Sequence, residues 1–216
     1  MLSVINQSYN YVDLDKLYSD ACNNVTDINE HIPVHRQLAL ECSSVVEIGV
    51  RSMISTFGLL KGLSESGNEN LKYTGIDLDM PPSETFNKSK QVCKQNNIEF
   101  NFIARDDMTI PVEEVGECDM LFIDSLHTYA HLSYEVETFS VLAKKYITFH
   151  DSSPPWESVD DHFYHGDRSE YPEWIDREKR GVWPAIEDFL VRHPEWVLKE
   201  RKTNNHGFTI LEKAKV

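Results

Sequence analysis

Four residues define the chemistry open to this chain. Asp124 and His127 stand three apart where the apolar run Cys118–Asp124 (CDMLFID) ends, and His150-Asp151 ends a second run, Tyr146–His150. If those runs are neighbouring strands, both pairs meet in one cleft. Two carboxylates and an imidazole suit a hard or borderline divalent cation, Mg²⁺ or Mn²⁺ before softer ions. An imidazole titrates near neutrality, so the same cluster could move a proton. The plain alternative is that the acids cap loops and the histidines are structural.

Further acids stand where apolar runs end: Glu47 after Val45-Val46, Asp77 after Lys72–Ile76, and Asp106 after Glu99–Ala104. The stretch Val45–Thr56 (VVEIGVRSMIST) reads as buried strand, break at Gly49, then helix from Ile54. Strand, glycine turn and helix bring backbone N–H groups up to a nucleotide-like ligand. A GxGxxG run is missing, which argues against a dinucleotide dehydrogenase.

These positions require alternating strands and helices. Short amphipathic helices are expected at Leu14–Cys22 and Pro33–Glu41. After the opening strand and helix, Lys72–Asp79 is a strand stopped by Pro81-Pro82. Ser83 is expected to cap a helix running to about Asn96. Glu99–Ala104 alternates as a strand, and Cys118–Asp124 is apolar enough to be central. Tyr129–Lys145 is expected helical, Tyr146–His150 a strand and Gly181–His193 a helix. Glu195–Arg201 and Gly207–Glu212 are strands around an Asn204-Asn205 turn. Five βα units and a hairpin imply an α/β fold with a doubly wound, mostly parallel, seven-stranded sheet and a C-terminal antiparallel strand. Ligands bind such sheets at the C-terminal strand ends, where Glu47, Asp77, Asp106, Asp124 and Asp151 collect.

Bulk properties narrow the function further. With 216 residues the chain suits one domain, with 1–42 as a helical cap and 152–180 as an inserted loop. A hydrophobic fraction of 40% and charged fraction of 26% fit a soluble globular protein, and no apolar run reaches membrane-span length. The formal net charge of −15 repels phosphate backbones and excludes nucleic acid as a general partner. It favours neutral or cationic substrates, or a bound cation. The four cysteines show no metal-type spacing and read as reduced thiols, and with no signal pattern at the start a cytoplasmic setting is expected. A homodimer is the default for oligomeric state.

The segments EIG…ST at Glu47–Thr56, GID at Gly75–Asp77, FIDSLHTY…ITFHD from Phe122 to Asp151 and the ending GVW…FL…NNHGFTILE together carry a resemblance. The chain resembles the class I S-adenosylmethionine-dependent methyltransferases, which have a Rossmann-like fold. Within them it is most similar to the methyltransferase family 24 group, whose relatives include metal-dependent sugar O-methyltransferases. Met53 stands where that group usually has another glycine, leaving less room in the turn.

The resemblance implies S-adenosylmethionine as cofactor and a hydroxyl of a small molecule or glycan as acceptor. Asp77 would bind the ribose hydroxyls, with Asp79 the fallback. Gly49 would admit the methionine end, whose ammonium and carboxylate Glu47, Arg51, Ser52 and Ser55 could meet. Asp106 is preferred over Asp107 for the adenine amino group. Asp124 would border the cofactor and, with Asp151 and beside His150, hold the metal. An acceptor alcohol is a weak acid, near water at a pKa of about 15.7, so a metal and a base both help. His127 is the candidate base, at the position where the group's sugar methyltransferases place theirs. Trp156, Phe163, Tyr164, Tyr171 and Trp174, in the 152–180 loop, could stack on a sugar or anchor the loop. His162 and His165 with Asp160 and Asp161 could make a second metal site. Two other readings remain: an iron-dependent hydroxylase-like enzyme on the same fold, and a cofactor-binding module without turnover.

Overall fold

The computed structural model describes residues 11–161 and 170–215. The irregular start expected at 1–10, and His162, Phe163, Tyr164 and His165 with the second metal site they would complete, lie outside those residues.

Seven strands, β1 (Ser44–Ile48), β2 (Lys72–Asp77), β3 (Glu99–Ala104), β4 (Cys118–Ile123), β5 (Ala143–His150), β6 (Trp196–Lys202) and β7 (Phe208–Lys213), form one sheet in the order β3-β2-β1-β4-β5-β7-β6. β7 runs antiparallel to both of its neighbours, and the other pairings are parallel. β4 is buried at every position, as its largely apolar sequence requires of a central strand, and its one acid, Asp119, accepts the N–H and hydroxyl of Ser43 at 2.7 Å each. The expected doubly wound, mostly parallel sheet is the observed one.

Side chains alternate across the strands and feed two apolar layers. Val46, Ile48, Leu121 and Ile123 pack with α6 (Tyr129–Phe139) and α7 (Val182–Arg192) on one face. Val45, Met120 and Phe122 pack on the other with α1 (Leu14–Asn23), α2 (Ile32–Ala39), α3 (Ile54–Glu65) and α4 (Ser83–Gln95). Gly62 lets α3 lie against α2, because a Cβ there would come 2.4 Å from the Arg36 carbonyl oxygen. Among the described residues, no helix is long and apolar enough to cross a membrane.

Three local expectations need correction. The helix expected over Tyr129–Lys145 stops at Phe139, Ser140–Leu142 forms a 3-10 turn, and β5 starts at Ala143, paired with Cys118. Lys144 and Lys145 extend the polar pattern of a helix surface, but they are strand-entry residues whose ammonium groups reach Glu117 at 2.6 Å and Asp119 at 3.5 Å. Ser83 is the first residue of α4, and the preceding Pro82 supplies no side-chain cap. A short α5 (Val112–Val115) precedes β4 and was not expected.

The sheet order reverses between β1 and β4: the chain winds outward to β3 on one side, then to β5 on the other. At such a switch point the loops after the two strands part and leave a crevice.

Candidate active site

The crevice is organised by Gly49. Its N–H donates to the Ile76 carbonyl at 2.9 Å, and Asp124 N–H donates to Ile48 at 2.8 Å. With φ at +85°, Gly49 packs so tightly that a Cβ would lie 2.1 Å from the Asp124 carbonyl oxygen. The glycine is therefore required first by the backbone of the β4 loop. Met53 adopts φ 66° and is fully buried, so its side chain points into the core and lines neither cavity described below.

Two cavities open on either side of this turn. The larger, about 460 Å³, is bordered by Gly49, Asp77, Asp106, Asp124, His131 and Tyr171. The smaller, about 330 Å³, is bordered by Arg51, Ser52, Ser55, Asp124, His127 and Asp151. Asp124 borders both.

Asp77 ends β2 on the larger cavity. Its Oδ2 accepts the N–H groups of Val50 at 2.8 Å and Arg51 at 2.7 Å, and its Oδ1 accepts Asp79 N–H at 3.2 Å. Asp77 thus clamps the Gly49 turn while Oδ1 keeps accepting capacity. Asp106 caps the 3-10 turn Asp107–Thr109, accepting Met108 N–H at 3.0 Å. Arg51 is exposed and directs its guanidinium to Asp27 at 3.0 Å.

Glu47 is placed differently from the other acids. It is fully buried and lines neither cavity. Ser55, Thr56 and Tyr73 all donate hydroxyl hydrogens to its carboxylate, which ties β1, β2 and α3 together. Burial raises its pKa to about 7, against the pull of those three hydrogen bonds. Ser55 borders the smaller cavity, but its hydroxyl is spent on Glu47.

The ends of β4 and β5 bring together all four residues of the acid–imidazole cluster. His127 Nε2 lies 2.9 Å from Asp151 Oδ2 and 3.6 Å from Asp124 Oδ1. His150 Nδ1 lies 3.0 Å from Asp151 Oδ2 and 3.3 Å from Asp124 Oδ1. Its other nitrogen, Nε2, donates to the Asn205 carbonyl at 3.1 Å, and although burial would lower its pKa, the carboxylates of Asp124 and Asp151 beside Nδ1 hold it well above the ordinary imidazole value. Asp151 sits at φ 55°, a left-handed conformation that a non-glycine residue holds at some cost.

The two imidazoles differ in access. The His150 side chain is 1% exposed and that of His127 is 23% exposed, so only His127 can meet a ligand from the smaller cavity. The His127 ring stacks on Trp156 at 5.8 Å, and its Nδ1 lies 3.5 Å from Asp161. Burial would lower the His127 pKa, but Asp124 and Asp151 outweigh it and raise it to about 10. Burial would raise the Asp151 pKa, but His127 and His150 hold it well below the usual carboxylate range. As it stands, His127 is an imidazolium clamped between carboxylates.

One donor atom each from Asp124, His127 and Asp151 lies within 4.8 Å of the others, close enough to share one ion. The oxygen-rich set with one imidazole fits a divalent cation. Two participants, His206 and His131, were not anticipated, and two others, Asp107 and Asp161, were expected in other roles: Asp107 as the alternative to Asp106 and Asp161 in the second metal set. His206, from the β6–β7 turn, donates from Nδ1 to Asp151 Oδ1 at 3.1 Å. Asp161 faces His127 from the loop, and Asp107 and His131 border the larger cavity. Of the loop aromatics, Tyr171 is buried in the core and borders the larger cavity, Trp156 stacks on His127, and Trp174 is exposed and lines neither cavity.

In fold, the chain is similar to solved methyltransferase structures. A Bacillus cereus O-methyltransferase in complex with SAH aligns with TM-score 0.56 at 13% identity, over 96% of this chain and 94% of that one. The Streptomyces achromogenes O-methyltransferase TomG, involved in tomaymycin synthesis and solved with SAM, gives 0.53 at 12% identity over 95% and 93%. The SAH-bound Podospora anserina methyltransferase PaMTH1 gives 0.54 at 13% identity over 94% and 88%. No protein-family model and no curated protein sequence matches the chain.

Proposed function

We propose that this protein is an S-adenosylmethionine-dependent O-methyltransferase that methylates a hydroxyl of a sugar or glycan-type small molecule with the help of a divalent cation. The observation that carries the reading is Asp124, which borders both cavities at the point where the sheet order reverses. The larger cavity is of a size for a nucleoside-like ligand, with the Asp77 Oδ1 on its wall. The smaller one holds the acceptor beside His127 and Asp151. The fold shared with SAM- and SAH-bound O-methyltransferases supports the choice of cofactor.

Each residue then has a task. Asp124 and Asp151 hold the cation, with His150 supporting them from the buried side. The cation supplies positive charge that makes an acceptor hydroxyl more acidic, and the cofactor supplies an electrophilic methyl group. With its two carboxylates so engaged, His127 loses its grip on its proton and becomes a proton acceptor on the open side of the site. Trp156 holds the ring face, and the surrounding walls align the acceptor oxygen with the methyl group. Isothermal titration with S-adenosylmethionine, with and without Mg²⁺ or Mn²⁺, tests the proposal. Binding that is lost in Asp77→Ala is expected; absence of binding with any ion defeats it.

One arrangement favours a second reading. His127 and His150 both lie within ion-pair distance of Asp151, and two imidazoles with one carboxylate are a ligand set for non-haem iron. Metal analysis of protein purified without added ions separates the two: copurified iron supports the hydroxylase-like enzyme.

A further inference from the structure

A second cluster lies across the larger cavity from this site. We propose that Asp107, His131 and Glu135 form a separate binding site for a borderline divalent cation of the zinc type. The proposal stands on its own geometry and does not depend on the methyltransferase reading.

The three residues come from two elements fixed independently. His131 and Glu135 are four apart on α6, so both side chains leave the same face of the helix. Thr128 caps that helix by accepting His131 N–H at 3.2 Å. Asp107 comes from the 3-10 turn after β3, which Asp106 caps. His131 Nε2 lies 3.3 Å from Asp107 Oδ2 and 3.6 Å from Glu135 Oε1. Ligands about 2.0–2.2 Å from a tetrahedral zinc ion are about 3.3–3.6 Å from one another, so both spacings from His131 fit a coordination shell, and all three residues offer donors within 4.8 Å of one another.

The surroundings orient these atoms toward a common point. The Tyr171 hydroxyl lies 3.0 Å from His131 Nδ1; with the hydrogen on Nδ1, the Nε2 lone pair is free to bind. Ser125 donates its hydroxyl to Glu135 Oε1 at 2.6 Å, setting the carboxylate plane. Two carboxylate oxygens are left over. Asp107 Oδ2, the atom that faces His131, and Glu135 Oε2 are buried and accept no hydrogen bond among the described residues. Glu135 is 0% exposed and Asp107 8%. Buried acceptors without donors are costly, and a cation between them removes that cost. Asp107 and His131 border the larger cavity, so a fourth ligand can enter from that side, as at zinc sites with an open position.

The rival occupants are a proton shared between the two carboxyls and a plain ion pair of His131 with Asp107. The experiment strips the full-length chain with a chelator and dialyses it against Zn²⁺ or Co²⁺. Asp124→Asn/Asp151→Asn protein should keep one equivalent of Zn²⁺, and its Co²⁺ form should show the intense visible absorption of a four-coordinate site. Adding His131→Gln should weaken that binding about tenfold or more. No retained equivalent, or retention unaffected by His131→Gln, overturns the proposal. Because buried substitutions can unfold a chain, crystals of the unaltered protein soaked in Zn²⁺ give an independent answer. An anomalous peak between Asp107, His131 and Glu135 supports the site, and peaks confined to other positions overturn it.

Discussion

His127 Nε2 and Asp151 Oδ2 lie 2.9 Å apart, joining the loop after β4 to the end of β5. The contact couples two groups whose charges depend on each other, and it gives the site a defined response to pH, mutation and cation binding.

Stability should vary with pH in a predictable direction. His127 has a folded pKa of about 10, above its unfolded value of about 6.5. Its contribution is therefore complete below about pH 6.5 and is lost as pH rises towards 10. The Asp151 pKa is depressed, so its contribution is complete above its unfolded value of about 3.9 and is lost as pH falls. Urea midpoints of metal-free protein should be highest between about pH 4 and 6.5 and decline on both sides. In His127→Gln protein the alkaline decline should be reduced but not abolished, because Glu47, raised to about 7 by burial, and His150, raised by its carboxylate neighbours, contribute in the same direction.

Turnover should depend on the same imidazole. His127→Ala is expected to lower kcat by about a hundred- to ten-thousandfold, the usual worth of a positioned base, and to leave cofactor affinity nearly unchanged. Product release measured across a panel of sugar alcohols, beside cofactor titration, checks this. Turnover that survives removes His127 from the base role.

Gly49→Ala should damage stability and cation binding together. Its Cβ would meet the Asp124 carbonyl oxygen at 2.1 Å from a backbone at φ +85°. Left-handed strain and overpacking each cost about 1–3 kcal/mol. The sum predicts a loss of more than about 2 kcal/mol in urea unfolding, with weaker Mg²⁺ or Mn²⁺ binding because Asp124 is displaced.

Glu47→Ala should unfold more readily and yet bind cofactor better than Asp77→Ala does. It strips an acceptor from the hydroxyls of Ser55, Thr56 and Tyr73 and opens a void, for a loss on the order of 2–4 kcal/mol. Denaturation and cofactor titration of both variants under folded conditions make the comparison. Loss of cofactor affinity equal to that of Asp77→Ala would return Glu47 to the binding site.

The strands were legible because a sheet covered on both faces demands runs that are mostly apolar, and Val45–Ile48 and Cys118–Ile123 each carry a single acid among apolar residues. The boundary between α6 and β5 was not, since Lys144 and Lys145 look the same on a helix surface and at a strand entry. The pairing of Asp124 and His127 with His150 and Asp151 followed from adjacent strand ends. Asp161 and His206 reach the same cluster from irregular segments, where side-chain direction follows no period. Glu47 was misleading for a simpler reason: an acid at a strand end beside a glycine points outward or inward according to one step of the pleat. His131 and Glu135 did carry a signal, the spacing of four on a helix, and only the fold adds Asp107 to them.

The contact of Gly49 with Asp124 has a consequence for how such a protein can change. Main chain meets main chain there, so neither partner can be compensated by altering a side chain. The nucleoside-sized compartment and the acid–imidazole compartment share one wall, and a shift in either is felt by its neighbour. Attempts to retarget this scaffold to other acceptors should leave that wall untouched and work outward from the surface loops, where shape can vary without collapsing both chambers.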